Sequence, residues 1–440
     1  MSPAPLGFAN SRLRMRERKH PWYRPRGYLH FDLPIGKEKA ASIVSSPSRI
    51  CRHAFWPLID YQIQSVKITK DDNGKLIRKV KDRPIAYAAH LDSHIYAYYA
   101  RLLERPYEEA IKQANIDSCV LAFRQLGKSN IEFARDAFKT ISRVAPVGVV
   151  AVDISGFFDN LNHHILKQRW ANLLGHQVLP EDHYAVFRSL TRYSKVNRDD
   201  LYKALGVSKQ NPKRDRARVC EPDDFRGIVR GGKMIKKNPH RFGIPQGTPI
   251  SALLSNIYMF DFDQEMNDIV SDAGGYYFRY CDDMLFIVPK EFMAGVEKIV
   301  AERIKKLELT INPDKTERRT FTNREDGSLH ADKPLQYLGF IFDGQRIFIR
   351  SAAFARHSQR MKKGVSLAKR TRDKRNSLRA TKAQPAKPLY KGQLYEKYSH
   401  LGSRNFIRYG YRAARVMKSK TIRKQLLPLW KELIEEIEKP

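Results

Sequence analysis

The feature that most constrains the fold is a short apolar run that ends in a carboxylate. Residues Val147 to Ile154 are nearly all apolar and rich in valine, and the one charged residue among them is Asp153. Such a run is typical of a strand buried in the middle of a sheet. A carboxylate there is costly to ionise unless a cation compensates it. The run therefore predicts a central strand that presents Asp153 to a cation.

A second pair of carboxylates lies at the predicted tip of a hairpin. Residues 275–288 form a strand pattern, a polar turn at Cys281-Asp282-Asp283 and a second strand from Met284 to Val288. If this hairpin neighbours the first strand, three carboxylates converge at one sheet edge. Oxygen ligands of this kind suit Mg²⁺, and two such ions flank an in-line phosphoryl displacement. The alternative interpretation is that each aspartate only caps a turn.

Two further segments favour phosphate chemistry. Gly243–Ser251 is a turn rich in Gly and Pro before an apolar helix predicted over Ala252–Met259. Its glycines allow a close backbone approach to a ligand, and a helix N-terminus favours phosphate. The segment Leu309–Thr316 contains Lys315, which could protonate or neutralise a leaving pyrophosphate.

The net charge indicates the class of partner. The 440 residues include 81 Lys and Arg against 47 Asp and Glu, a formal charge of +34. Such an excess predicts nucleic acid or an anionic membrane as partner. The longest apolar run, Val147–Val152, is far shorter than the roughly 20 residues that span a bilayer. No secretory signal is visible, and the four scattered cysteines suggest neither disulfides nor a zinc site. We therefore expect a cytoplasmic protein with a nucleic-acid partner and no membrane partner.

Charge and periodicity also suggest how the chain is organised. From Gln345 onward there are 26 Lys and Arg against 6 Asp and Glu, which predicts a separate basic helical domain. Residues 195–241 are basic and predicted to be loop-like. A helix is predicted to open at Asn160 and end at Gly175. A hairpin turn is predicted around Asp71–Gly74.

Five segments in order resemble the successive palm motifs of reverse transcriptases. They are Val149-Val-Ala-Val-Asp153-Ile-Ser-Gly-Phe-Phe158-Asp159, Gly243-Ile-Pro-Gln-Gly-Thr-Pro-Ile-Ser251, Tyr280-Cys-Asp-Asp283, Asn312-Pro-Asp-Lys-Thr316 and Leu335-Gln-Tyr-Leu-Gly-Phe340. Upstream, Arg83-Pro-Ile85 and Ala122-Phe-Arg124 resemble the finger motifs. The resemblance extends over residues 50 to 345. It implies an α+β right-hand polymerase with fingers, a palm of antiparallel strands and an α-helical thumb.

The resemblance also implies a division into domains. The predicted domains are a basic N-terminal extension over 1–29, fingers over 30–145, a palm over 146–345 with the basic insertion 195–241, and a basic helical thumb over 346–440.

In this family the motif carboxylates hold the catalytic metal ions. The resemblance implies that Asp153 and Asp282 are metal ligands and that Asp283 is an adjacent, less direct carboxylate. The implied cofactor is a pair of Mg²⁺ ions, with Mn²⁺ as the alternative. Lys315 would assist proton transfer.

The remaining motifs imply contacts to the nucleotide and the primer. Arg83 would grip the incoming triphosphate, Gln246 would lie beside the nucleotide sugar, and Gly247 would also belong to the nucleotide-binding residues. The primer grip would be the segment Leu335–Phe340, with Tyr337, Leu338 and Gly339 at its centre. Cys281 occupies the position at which the hairpin motif more commonly has alanine, and a small thiol should fit there.

Phe158 predicts the sugar of the substrate. It lies five residues after Asp153, where RNA-dependent RNA polymerases typically carry an Asp that accepts a hydrogen bond from the 2′-hydroxyl. A phenyl ring cannot accept that bond and would collide with the hydroxyl, so dNTPs are favoured and the product is DNA. The alternative interpretation is a core aromatic residue.

The chain most resembles one group of bacterial reverse transcriptases. No endonuclease, RNase H or integrase segment is recognised, and the segment Cys51–Ile59 and the Tyr-Cys-Asp-Asp wording resemble the type 2 branch of defence-associated, antiphage "unknown group" enzymes. That resemblance implies a non-coding RNA template copied repeatedly into concatenated cDNA. The alternatives are a group II intron-type reverse transcriptase or maturase and a catalytically idle RNA-binding protein. The template's identity, the primer, the trigger and the oligomeric state are left open.

Overall fold

The computed structural model describes residues 20–70 and 75–439. Within this part of the chain the contacts define two compact units. The first contains the described residues up to Ala110 together with Phe158–Tyr258, and the second contains Ile111–Phe157 together with the described residues from Met259 onward. The predicted turn at Asp71–Gly74 and the first 19 residues of the predicted N-terminal extension lie outside the described residues.

The described residues form strands and helices that we number in chain order. The strands are β1 (Leu58–Lys70), β2 (Leu76–Tyr87), β3 (Val147–Asp153), β4 (Ser194–Asn197), β5 (Lys236–Lys237), β6 (Tyr276–Tyr280), β7 (Asp283–Val288), β8 (Glu317–Asn323), β9 (Leu329–Ala331), β10 (Leu335–Tyr337), β11 (Phe340–Phe342) and β12 (Ile347–Ile349). The helices are α1 (Lys37–Val44), α2 (Pro47–Cys51), α3 (His90–Gln113), α4 (Asn130–Val144), α5 (His163–Leu173), α6 (Glu181–Thr191), α7 (Arg198–Ala204), α8 (Pro222–Asp224), α9 (Ser251–Tyr258), α10 (Phe260–Asp272), α11 (Met293–Lys306), α12 (Ser351–Ala380), α13 (Gly392–Tyr398), α14 (Phe406–Val416), α15 (Lys420–Leu426) and α16 (Pro428–Glu438).

The second unit is built on a five-stranded sheet in the order β6-β7-β3-β8-β9. All four of its strand pairs are antiparallel. Strand β3 lies in the middle, and Val149 and Val150 on it are fully buried. A valine-rich run can be buried on both faces because β-branched side chains fit the pleated surface. The predicted central strand and the predicted hairpin over β6 and β7 are both confirmed.

The C-terminal part of the second unit adds a three-stranded sheet, β10-β11-β12, and the helices α12 to α16. Helix α4 packs into the same core as these elements, and it begins with a capping box formed by Ser129 and Glu132. Its buried side chains lie on one face, as an amphipathic helix requires. They are Ile131, Phe133, Ala134, Ala137, Phe138 and Ile141.

The first unit contains the sheet β2-β1-β4-β5 and a small core of its own. The prediction that residues 195–241 are loop-like is wrong, because this segment contains β4, α7, α8, a π-helix over Phe225–Arg230 and β5. The ring of Phe225 lies 4.8 Å from that of Phe31 and 5.0 Å from that of Trp56. The buried apolar residues of the segment are Val196, Leu201, Tyr202, Val207, Val219, Cys220, Phe225 and Val229.

The start of helix α5 differs from the predicted one by three residues. The helix predicted to open at Asn160 begins at His163, because the side chain of Asn162 accepts hydrogen bonds from the amides of His164 and Ile165 and so caps it. No helix of the described ranges is long and apolar enough to cross a bilayer.

The predicted α+β class with an antiparallel central sheet is confirmed. The predicted domain boundaries stay predictions.

Candidate active site

Pairing between two strands brings the predicted carboxylates to one edge of the sheet. In the antiparallel register of β3 and β7, Asp153 lies directly opposite Asp283. The Cβ atoms of such cross-strand partners are about 5 Å apart. The amide of Ile154 also donates a hydrogen bond of 3.3 Å to the carbonyl of Asp282. The end of β3 and the hairpin turn therefore present three carboxylates from neighbouring backbone positions.

The turn that carries Asp282 is short and tightly shaped. Tyr280 pairs with Asp283, so only Cys281 and Asp282 connect the strands. Cys281 has φ of +62°, a value that is usual for glycine at the first position of a type II′ turn. A non-glycine residue in that conformation carries about 1–3 kcal/mol of strain, so the surroundings must hold it there. Cys281 is buried, and this burial raises the pKa of its thiol, which stays protonated.

Desolvation and neighbouring negative charge both act on the carboxylates of this edge. Asp283 is exposed by surface area, but the surrounding protein atoms still desolvate it in part. This desolvation, followed by the neighbouring carboxylates of Asp282 and Asp153, raises the pKa of Asp283 to about 7. Lys315 and Arg350 act in the opposite direction with smaller effects. The edge therefore attracts a cation or a proton.

Lys315 is the side chain that partly neutralises this edge. Its ammonium group forms an ion pair with the carboxylate of Asp153. It is placed there by a 3₁₀ turn over Pro313–Lys315, because the amide of Asn312 donates a 2.8 Å hydrogen bond to the carbonyl of Asp153. The segment that carries Lys315 thus follows the end of β3 through a backbone contact.

The donor set fits a divalent metal ion in its chemistry. Asp153, Asp282 and Asp283 offer only oxygen ligands, which hard ions such as Mg²⁺ prefer. The raised pKa of Asp283 indicates negative charge that such an ion would compensate. In the described ranges, no three His, Cys, Asp or Glu side chains are already grouped closely enough to hold a metal ion.

The predicted primer grip forms a second two-residue hairpin in the same unit. Tyr337 pairs with Phe340, and the connecting residues Leu338 and Gly339 have φ of +47° and +90°. The side-chain amide of Asn130 donates a 3.0 Å hydrogen bond to the carbonyl of Leu338. Burial, followed by the nearby carboxylate of Asp283, raises the pKa of Tyr337. The grip is therefore fixed by α4, and its tyrosine lies in the field of the carboxylate edge.

The predicted nucleotide-binding residues lie in the first unit. The carbonyl of Gln246 accepts a 2.9 Å hydrogen bond from the amide of Ala86 on β2, three residues beyond the exposed Arg83. Gly247 has φ of +119°, and a Cβ atom there would lie 2.6 Å from the carbonyl oxygen of Ala86. Only glycine fits that close approach. The Gly/Pro-rich turn is thereby packed against β2.

Phe158 shares this neighbourhood. Its carbonyl accepts a 2.9 Å hydrogen bond from the amide of Ile244, and its side chain is half-buried. The structure thus groups the predicted residues in two sets. The first unit holds Arg83, Phe158, Gln246 and Gly247, and the second holds Asp153, Asp282, Asp283, Lys315, Tyr337, Leu338 and Gly339.

The sequence reasoning missed three polar residues that support the second set. Arg279 and Asp263 form a fully buried ion pair beside the hairpin, and Asn130 holds the primer-grip turn. The available signal was a charged residue inside an apolar pattern. Arg279 lies in the aromatic strand Tyr276–Tyr280, where a core position is expected, and such a charge requires a partner.

The comparison with protein families decides the family of the chain. The family described as "Reverse transcriptase (RNA-dependent DNA polymerase)" matches residues 94–342, which is more than half of the chain. The chain is a member of the reverse transcriptase family. The matched residues of this reverse transcriptase include the carboxylate edge, Lys315, the Gly/Pro-rich turn and the predicted primer grip, and the predicted polymerase fold class is confirmed with the family.

Solved structures of telomerase are similar to this reverse transcriptase at a distance. Apo telomerase from Candida tropicalis has 12% identity and a TM-score of 0.41, over 87% of this chain and 61% of that chain. A form of it truncated from the C-terminal domain has 12% identity and a TM-score of 0.40, over 66% and 57%. Telomerase from Candida albicans in complex with a fragment of telomeric RNA has 12% identity and a TM-score of 0.37, over 89% and 62%. The chain thus spans about six tenths of the telomerase chains. No curated protein sequence matches it.

Proposed function

We propose that this reverse transcriptase is an active RNA-directed DNA polymerase that extends a primer with dNTPs on an RNA template. The observation that carries the proposal is the register of β3 and β7, which sets Asp153 opposite Asp283 beside the turn with Asp282. An idle RNA-binding protein has no need of three neighbouring carboxylates, of which Asp283 has its pKa raised to about 7 by desolvation and then by the charges of Asp282 and Asp153.

The chain's own residues would divide the chemistry among them. Asp153, Asp282 and Asp283 would hold two divalent ions, Mg²⁺ or Mn²⁺, which would supply activation of the primer 3′-hydroxyl and neutralisation of the leaving pyrophosphate. Lys315 is an ammonium donor beside Asp153 and delivers a proton to the pyrophosphate. Tyr337, Leu338 and Gly339 hold the primer end.

The first unit would bind the incoming nucleotide. Arg83 grips the triphosphate, and Gln246 and Gly247 border the sugar, which the packing of their turn against β2 supports. Phe158 excludes the 2′-hydroxyl. The enzyme would therefore select dNTPs.

The basic helices of the second unit would hold the nucleic acid. Helix α12 carries ten Lys and Arg residues and a single acidic residue, Asp373. Such one-sided charge binds phosphates by releasing counterions, so RNA affinity should fall with salt by about 0.7–0.9 log units per log unit for each contact. The RNA template and its cDNA product are the polyanions that this charge fits.

The test of activity is dNTP incorporation with the RNA that copurifies with the protein. Wild type is compared with the double variant Asp282→Ala/Asp283→Ala, and we expect incorporation to fall at least about 1,000-fold because the metal ligands are lost. Equal incorporation by both proteins, or none by either, would favour the idle RNA-binding alternative. Binding of the copurified RNA by both proteins shows that each is folded.

For the biology, we propose a non-coding RNA template copied into repetitive cDNA in antiphage defence, within the cytoplasm. The resemblance of Cys51–Ile59 and of the Tyr-Cys-Asp-Asp motif to defence-associated enzymes supports it. Sequencing of copurifying RNA and cDNA, with and without phage, should give one structured RNA and head-to-tail cDNA repeats. Intron sequence in the copurified RNA would instead support the group II intron-type alternative.

A further inference from the structure

A fully buried ion pair lies beside the hairpin that carries Asp282 and Asp283. Arg279 on β6 and Asp263 on α10 are both 0% exposed. The guanidinium donates two hydrogen bonds to the carboxylate, from Nε to Oδ1 at 2.6 Å and from Nη2 to Oδ2 at 2.5 Å. Two parallel bonds of this kind fix the plane of the guanidinium as well as its position.

The same guanidinium has a third bond, which reaches the catalytic turn. Nη1 of Arg279 donates a 3.1 Å hydrogen bond to the carbonyl of Cys281. Cys281 is the residue at φ of +62°, and it directly precedes Asp282. A peptide carbonyl that is held in place restricts the rotation of the peptide that leads into Asp282. Arg279 thus links helix α10 to the strained residue of the turn.

The backbone of Arg279 is fixed as firmly as its side chain. Its amide donates a 2.8 Å hydrogen bond to the carbonyl of Cys119, and its carbonyl accepts a 2.9 Å bond from the amide of Leu121. On the other partner, the hydroxyl of Tyr277 donates a 2.8 Å bond to Asp263 Oδ1. Burial raises the pKa of Tyr277 well above its ordinary value, so the phenol stays a donor.

Stability alone does not account for this arrangement. Buried ion pairs can often be replaced by apolar residues with no loss of stability, since desolvating two charges costs as much as their attraction returns. What an apolar pair cannot supply is a rigid donor to the Cys281 carbonyl. The position of the third bond therefore points to a role in the geometry of the turn.

We propose that Arg279, oriented by Asp263, is a positioning residue that holds the Cys281 carbonyl and thereby sets the direction of the Asp282 and Asp283 carboxylates. The inference rests on the proposed polymerase function for its effect on rate. It also makes a claim about the metal-free protein, because the bond to the turn involves this chain alone.

The test compares Arg279→Lys with the control Tyr277→Phe. A lysine keeps the positive charge beside Asp263 but cannot bond both carboxylate oxygens and the Cys281 carbonyl at once. Tyr277→Phe removes a hydrogen bond to the same Asp263 and leaves the three guanidinium bonds described above in place. Hydrogen–deuterium exchange of the amides of residues 281–284 is measured in EDTA, and kcat and KM for dNTP are measured with Mg²⁺.

We expect Arg279→Lys to raise the exchange rate at residues 281–284 at least about tenfold, and to lower kcat about 100-fold while KM changes little, as a misplaced reacting group does. Tyr277→Phe should leave exchange at the turn unchanged and kcat within a factor of about 3. If Arg279→Lys shows no cooperative unfolding transition, the double variant Arg279→Gln/Asp263→Asn, which buries no charge, takes its place with the same expectations.

Equal exchange at the turn in the lysine variant and wild type would overturn the proposal. So would equal loss of kcat in Arg279→Lys and Tyr277→Phe, because that result would mean general destabilisation. A wild-type protein that incorporates no dNTP would overturn the polymerase function, and the exchange measurement would still decide the link between Arg279 and the turn.

Discussion

The two units of the molecule bury different sets of titratable side chains. In the first unit the buried ionisable groups include four histidines, namely His30, His90, His94 and His183. The first unit also buries Asp60 and Asp92. In the second unit the buried groups include Asp153, His357 and the ion pair of Arg279 and Asp263. Burial lowers the pKa of His30 to about 3 and of His94 to about 4, so both are neutral at physiological pH.

Buried histidines outnumber buried carboxylates in the first unit, whereas Arg279 in the second unit is the one buried arginine among the described residues. A neutral histidine is inexpensive to bury at pH 7 and becomes costly only when acid forces a proton on it. An arginine keeps its charge at every accessible pH, so its burial depends on the partner. We infer that the stability of the first unit should depend mainly on pH. The stability of the second should depend mainly on whether Arg279 and Asp263 are both present. The predictions below test that contrast.

The largest effect is expected from breaking the pair in the second unit. Asp263→Leu leaves the guanidinium of Arg279 buried without a counter-charge, which should lower the free energy of unfolding by about 3–5 kcal/mol. The double variant Asp263→Leu/Arg279→Met removes both charges and should recover most of that loss. Denaturant-induced unfolding measures both variants.

The double variant also separates stability from catalysis. It should unfold near wild type yet incorporate dNTP slowly, because the Cys281 carbonyl has lost its donor. Equal destabilisation by the single and double variants would show that the pair contributes packing alone. Asp268→Asn, a change of an exposed carboxylate on the same helix, is the matched control and should alter neither quantity.

A smaller effect is expected at Phe158 in the first unit. Replacing the phenyl ring with valine removes the predicted collision with a 2′-hydroxyl, so discrimination of dNTP against rNTP should fall about 10- to 100-fold. The measurement is the ratio of kcat/KM for the two sugars. Phe157→Leu, at the neighbouring buried residue, should keep the wild-type ratio. An unchanged ratio in Phe158→Val would remove Phe158 from the nucleotide site.

The carboxylate edge was predictable from the sequence because its signals are local. A valine-rich run that ends at Asp153 and a turn between two apolar strands each follow from periodicity and from the cost of a buried charge. The antiparallel register that sets Asp153 opposite Asp283 could be read only from the structure. Any pairing that aligns the end of β3 with the start of β7 would bring the same residues together. The family resemblance then supplied the roles.

The insertion and the buried pair were missed for a physical reason in each case. In residues 195–241 the apolar core residues are scattered among many Lys and Arg, so the sequence pattern does not indicate a core. The π-helix at Phe225–Arg230 also departs from the 3.6-residue spacing by which an α-helix is recognised. Arg279 and Asp263 lie 16 residues apart on a strand and a helix. Their partnership depends on the packing of α10 on the sheet, which no local pattern reports.

The smallest effect is the response of the first unit to acid. The pKa of His30 is about 3 in the folded protein, below the ordinary value near 6.5 that it has when unfolded. The unfolded state therefore binds the proton more readily, and the contribution of His30 to stability is present above pH 6.5 and is lost as the pH falls toward 3. Between pH 7.5 and 5 the loss should be about 2 kcal/mol.

His30→Asn isolates this contribution. The amide of Phe31 donates a 2.9 Å hydrogen bond to Nδ1 of His30, and an asparagine oxygen can accept that bond without titrating. Between pH 7.5 and 5 the variant should lose less stability than wild type by about 2 kcal/mol, whereas the exposed His164→Asn should lose as much as wild type. As the pH is lowered to 5, the rate of amide hydrogen exchange should rise in the first unit before it rises in the second. Faster exchange in the second unit first would reverse the contrast, because the unit with the buried arginine would then be the acid-sensitive one.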